Sequence, residues 1–269
     1  MRKEFILIVL FLLAFSNILL AQKAKRMSKT ELKTKLDSVL TEGNLLYRYE
    51  KAAWVSSDLA FGDPTLKSNF NAFFTYEFQG EIKTIISEDG FNTCVAEYVF
   101  ENDLDKPKSE RIEKRELSDT EKSLIAIRNV ILEEIFENKH VTYPDDYRPN
   151  IILIPFAEKY KLYITMGTSL KDVIPFGNDY LFIADKNGKI ENWKKFHSRI
   201  IPGETMLGTY RVTGMGHTHL ITTPLITATE ISMFMLYAPL FDMNELSVYS
   251  PAIKKSMKYT LKDNKITVK

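Results

Sequence analysis

His217-Thr218-His219 is followed at fixed distance by Thr227-Ala228-Thr229-Glu230, and two of the four histidines in the chain stand in the first of these runs. On a strand, alternation places both rings on one face, with Cα atoms roughly 6.5–7 Å apart. Two imidazoles and one carboxylate make a divalent metal site with a fourth position open to water. Glu230 falls in the first turn of an apparent helix. There the backbone N–H groups and the positive partial charge favour a carboxylate, and an oxyanion during reaction. Thr227-x-x-Glu230 is equally a capping box, in which the glutamate bonds the backbone of Thr227. On that reading Glu230 touches no metal, and His217 and His219 are polar residues on a sheet face. The sequence leaves both readings open.

The other titratable candidates carry less. His197, after Trp193 to Phe196, reads either as a third imidazole, ligand or proton shuttle, or as a partly exposed strand-end residue. His140 sits in a loop and carries no role. Cys94 is the only cysteine, so there is no internal disulfide, and its strand-like surroundings predict a buried, inert thiol.

The order of these residues resembles the JAMM/MPN metalloprotease motif, H-x-H-P-x6-S-x-x-D. The resemblance covers the 14 residues from His217 to Glu230. Leu220 stands where that motif has proline, Thr227 where it has serine and Glu230 where it has aspartate. The resemblance implies zinc held by His217, His219 and Glu230, with the Thr227 hydroxyl helping to stabilise a tetrahedral intermediate. It also implies an upstream glutamate that activates water. Glu158, just before the Lys161 to Thr165 strand, is the candidate for that base, and Glu204 is a further one. Leu46-Tyr47 with Glu50 and Trp54, Phe176-Gly177-Asn178-Asp179-Tyr180, His197 and the His217 to Ile231 block also resemble a group of exported bacterial proteins. That similarity implies export and a shared fold, and no particular activity.

The elements that must position these residues follow from periodicity. Leu32, Leu36, Val39 and Leu40 recur at helical spacing until Gly43, and a second helix fits Leu45 to Leu59. From Phe73 the period changes to two. Gln79-Gly80 and Asp89-Gly90 then mark the turns of a three-stranded meander ending at Phe100. Residues 101–116 carry eleven charged side chains of both signs, the pattern of a solvated loop or edge. Ser118-x-x-Glu121 is a capping box for a helix that ends near Asn138, with Leu124, Ile127, Ile131 and Ile135 inward. Beyond Pro144 come strands at Ile151 to Ile154, Leu162 to Thr165, Tyr180 to Ala184, Ile190 to Phe196 and Thr209 to His219. A helix from Thr227 to Leu236 and two final strands complete the chain.

Arg2 and Lys3 before the apolar run Phe5 to Phe15, with Ala21-Gln22 as cleavage point, predict a signal peptide over residues 1–21 and an exported, periplasmic or extracellular protein with no remaining membrane span. Two regions are expected after it, 22–145 and 146–269, either separate or as one domain. The fold class is α/β or α+β: a mixed sheet flanked by helices, preceded by a helical and meander region. A net charge of +1 argues against a nucleic-acid partner. The functional expectation is a zinc-dependent peptidase or amidohydrolase acting on a peptide or protein substrate. The alternative is a non-catalytic exported module.

Overall fold

In the computed structural model, residues 27–269 are described, and the expected signal peptide lies outside them. Among the described residues the helices are α1 (Lys29–Gly62), α2 (Pro64–Asn69), α3 (Asp119–Glu137) and α4 (Ala228–Tyr237). The break expected at Gly43 does not occur, because α1 runs through it. Gly43 is buried, and a Cβ there would lie 2.9 Å from both Cβ and Cγ2 of Ile231 on α4. The glycine costs the helix ~1 kcal/mol of propensity. In return α1 approaches α4 closely, and the flanking Leu36 and Leu46 are buried. Asp63 then ends α1 and caps α2, accepting from the N–H groups of Thr65 at 2.8 Å and Leu66 at 3.0 Å.

The meander has one strand more than its turns predict. β1 (Ala72–Phe78), β2 (Glu81–Ser87) and β3 (Thr93–Phe100) are joined by β4 (Ser109–Glu116), from the charged segment. β4 is an edge strand, and its exposed charges discourage pairing with another chain. Arg115 reaches inward from it to Glu121 at 2.8 Å. Glu121 forms the expected capping box with Ser118 at the start of α3.

A second antiparallel sheet has the order β5 (Tyr147–Phe156), β6 (Lys159–Thr168), β8 (Tyr180–Ala184), β9 (Ile190–Lys195). Between β6 and β8 the chain leaves to make β7 (Val173–Gly177), which pairs in a ribbon with β10 (Ile200–Glu204), the strand after β9. The expected strand from Thr209 to His219 is divided. A small hairpin of β11 (Met206–Leu207) and β12 (Tyr210–Arg211) precedes β13 (Gly214–Thr218). β13 heads a sheet with β14 (Glu245–Ser250), β15 (Lys255–Thr260) and β16 (Lys265–Val268). It pairs with β14 in parallel, and α4 is the crossover between them. Antiparallel sheets with this one crossover make an α+β mixed fold.

Three apolar cores tie these parts together. Leu32 and Leu36 of α1 pack with Ile231, Phe234, Leu246 and Val248. Leu46 and Tyr49, further along α1, join Ile82, Phe100, Ile152 and Ala228. Leu124, Ile131 and Ile135 of α3 pack with Ile85, Leu153 and Phe182. Each core draws on residues from both sides of position 145. At ~1.5–3 kcal/mol per buried aliphatic side chain, this packing holds α4 and β13 in register.

Candidate metal centre

β13 presents Met215 and His217 on its half-buried face, with Gly214, Gly216 and Thr218 exposed. The ladder continues one residue past the strand, where the His219 N–H donates to the Tyr249 carbonyl at 2.9 Å. His219 is therefore on the face of His217, as period-two alternation requires. The chain then turns at Leu220 and Thr223. The Thr223 carbonyl lies 3.0 Å from His219 Nδ1, accepts its proton and leaves Nε2 free to face α4.

Glu230 uses its two oxygens differently. Oε2 accepts from the Thr227 N–H at 2.7 Å and from the Thr227 hydroxyl at 2.8 Å, while the Glu230 N–H donates back to Thr227 Oγ1 at 3.2 Å. The capping box is thus present. Oε1 lies 2.6 Å from His217 Nε2, 2.9 Å from His219 Nε2 and 3.3 Å from His197 Nε2. Capping and gathering the histidines are compatible because a carboxylate has two acceptor oxygens.

His197 is buried and belongs to the cluster, with Nε2 3.2 Å from His219 Nε2. Its other nitrogen, Nδ1, lies 2.6 Å from Asp179. Asp179 is delivered by the turn between β7 and β8, where Gly177 has φ +78 and Asn178 φ +50. A side chain at Gly177 would overlap the Arg199 carbonyl and come within 3.3 Å of His197 Cβ. The second Asp179 oxygen accepts from the Thr229 hydroxyl on α4. Sequence reasoning gave Asp179 and Thr229 no role. Thr229 lies inside the motif interval, and the signal for Asp179 is its place just before the Tyr180 to Ala184 strand, which pairs with the strand that ends just before His197.

The donor atoms of His197, His217, His219 and Glu230 all lie within 4.8 Å of one another, so this group could hold a metal ion. Zinc bonds of ~2.0–2.1 Å set tetrahedral donor separations of roughly 3.3 Å. The imidazole nitrogens stand 2.6 to 3.3 Å from Glu230 Oε1, at or just inside that edge, within a group that spans up to 4.8 Å. His217 Nε2 is buried without a hydrogen bond, although it faces Glu230 Oε1. Burial works against the charge on His197, yet the Asp179 and Glu230 carboxylates override it and push the imidazolium pKa up to about 10. Burial likewise disfavours a charged Glu230, but the field of the facing imidazoles, that of His219 first, holds its carboxyl well below the usual range.

Glu158 does not join this group. It is exposed, in the turn between β5 and β6. Thr165, at the other end of β6, lines a small cavity with Glu230. Seven positions at ~3.3 Å per residue put Glu158 roughly 20 Å away from Thr165. Glu204 is also exposed, at the far end of β10 from His197. Thr227 is at the centre, with its hydroxyl engaged by Glu230 and Thr229. Cys94 is buried, and its thiol pKa is pushed up to about 11 by that burial, which suits an inert side chain. His140 packs on Trp193, with ring centroids 5.0 Å apart. No known family, curated protein or solved structure matches the chain.

Proposed function

We propose that the protein is an exported zinc-dependent hydrolase of JAMM-like type, cleaving a peptide or isopeptide bond. The observation that carries this reading is His217 Nε2, buried, without a hydrogen bond and 2.6 Å from Glu230 Oε1. Both atoms are metal-ligand types, and a cation between them would be held by both. Three imidazoles and a carboxylate suit zinc. His217, His219 and Glu230 would hold the ion, and zinc supplies acidification of water and polarisation of a carbonyl.

The chain's own groups supply the rest. Asp179 orients His197 through Nδ1, so that Nε2 faces the ligand atoms of His219 and Glu230 at 3.2 and 3.3 Å. That places an imidazole beside this position, where it would accept a proton in place of Glu158 once a bound cation offsets the carboxylates that hold its pKa up. Thr227 holds Glu230 and acts as a positioning residue. Export rests on the Arg2-Lys3 and Phe5 to Phe15 pattern.

One observation favours a second reading. The His197 Nε2 separations equal a tetrahedral edge, and four protein ligands characterise a structural zinc site. The protein would then be an exported binding or structural module. Zinc content, zinc affinity and peptide-library cleavage of wild type and His197→Ala decide between them. The hydrolase reading expects stoichiometric zinc in both and cleavage by wild type only. Zinc lost from His197→Ala, with no cleavage by wild type, supports the module. A wild type without zinc sinks both.

A further inference from the structure

Glu50 lies outside the metal group and has no role in the proposed reaction. It is on α1, only 6% exposed, and accepts from Asn150 Nδ2 at 3.0 Å and from the Thr165 hydroxyl at 3.1 Å. Among the described residues no lysine, arginine or histidine pairs with it. A buried carboxylate without a counter-cation is costly, even when hydrogen-bonded.

Glu50 also lines a cavity of about 330 Å³, together with Tyr49, Trp54, Asn150, Thr168 and Tyr237. The Trp54 and Tyr237 rings are 5.3 Å apart and tilted by 59°, so they form two walls of one corner. Aromatic faces beside a carboxylate attract an organic cation. An anion would meet the charge of Glu50, and an apolar guest would leave that charge unpaired. The volume is at the lower end of small-ligand pockets.

We propose that this cavity binds an organic ammonium ion, an amine head on a short alkyl chain. Glu50 is its counter-ion, Trp54 and Tyr237 are its aromatic walls and Asn150 Oδ1 is a second acceptor. Burial pushes the Glu50 carboxyl up to about 7, against the opposing hydrogen bonds from Thr165 and Asn150. A bound ammonium supplies the missing positive charge and returns the carboxylate to its ionised form. The amine would be a free alkylamine or the side chain of a lysyl peptide.

The test is a titration of the full mature chain, zinc-loaded and metal-free, followed by amide and indole NMR shifts. The probes are n-butylammonium chloride and Nα-acetyl-lysine amide, with butan-1-ol and sodium butyrate as controls. Wild type is expected to bind n-butylammonium saturably, roughly tenfold or more tighter than butan-1-ol, with the Trp54 indole shifting. Glu50→Gln preserves the side-chain shape and should abolish that preference. Trp54→Leu should weaken ammonium binding several-fold, and it carries the test if Glu50→Gln does not fold. Tighter binding of the lysine amide points to a peptide source, and preference for n-butylammonium to a free amine. Unsaturable ammonium binding, or equal affinity in Glu50→Gln, overturns the proposal. Zinc content is read separately, so failure here leaves the hydrolase reading standing, and the reverse.

Discussion

Glu230 Oε2 accepts the Thr227 N–H at 2.7 Å while Oε1 lies 2.6 Å from His217 Nε2. The helix start and the candidate metal centre are therefore built from the same side chain. The cap fixes the carboxylate before any ion arrives, so little rotamer entropy remains to be lost on binding. An aspartate at this position would have to serve both partners with one methylene fewer.

Substitutions separate the two roles. Glu230→Gln keeps an acceptor oxygen for the cap but removes the charge, so zinc affinity should fall by roughly a hundredfold, with a further stability loss near neutral pH from the unpaired imidazoles. Thr227→Ala removes the N-cap hydroxyl and should cost ~1 kcal/mol. Its effect on zinc should be smaller than that of Glu230→Gln. Urea unfolding of the metal-free chains and zinc competition titrations measure the two effects. If Glu230→Gln binds zinc like wild type, the residue is a cap alone.

Asp179→Asn asks what His197 does. The substitution weakens the hold on Nδ1, now 2.6 Å from the carboxylate, while leaving its size unchanged. If His197 takes the proton, turnover should drop by ~10²–10⁴-fold with zinc affinity within a few-fold of wild type. If His197 is a ligand, affinity itself should fall by ~10–100-fold, as for other partners of metal-bound histidines. Parallel zinc titrations and cleavage rates of Asp179→Asn show which quantity moves.

The sequence exposes whatever depends on spacing along one element. His217, His219, Thr227 and Glu230 lie on one strand–loop–helix unit, so their convergence could be read from periodicity and the capping pattern. The Ser118 cap is legible for the same reason. Asp179 and His197 sit at the open end of the β8–β9 hairpin, where Tyr180 pairs with Lys195 and the Phe196 N–H donates to the Asp179 carbonyl, and their meeting depends on a register that spacing alone does not fix. Gly43 misleads because its meaning is tertiary. Propensity marks it as a break, whereas Ile231 makes it a point of helix contact. Residues 109–116 read as a loop or an edge, and they form the edge strand, which needs no apolar face where the sheet is exposed.

Gly43→Ala tests that helix contact. The added methyl would meet Ile231 at 2.9 Å and the Ala228 carbonyl at 3.2 Å, in a place where backbone cannot yield easily. Alanine raises intrinsic helix propensity by ~1 kcal/mol, yet overpacking of a core costs ~1–3 kcal/mol. The net expectation is destabilisation in urea, accompanied by weaker zinc binding because α4 carries Glu230. A Gly43→Ala chain more stable than wild type would show that the two helices separate without cost.

Stability against pH should carry the signature of Glu50. Its carboxyl moves from an ordinary value of 4.5 to about 7 in the folded chain, driven by burial and opposed by Thr165 and Asn150. The groups facing it are Asn150 on β5, Thr165 on β6 and the Tyr237 phenol on α4. Because the folded state binds this proton more tightly than the unfolded state, the contribution is fully present below pH 4.5 and is lost as pH rises through 7. The shift corresponds to about 3 kcal/mol across that window. Glu50→Gln has no proton to lose, so its stability relative to wild type should rise steadily from pH 4.5 to 7 and then level off. The difference between the two urea-unfolding series isolates Glu50 from every other ionisable group, since all of these are common to both chains. A difference that stays constant across this range would mean that Glu50 is ionised throughout, with a counter-charge already in place.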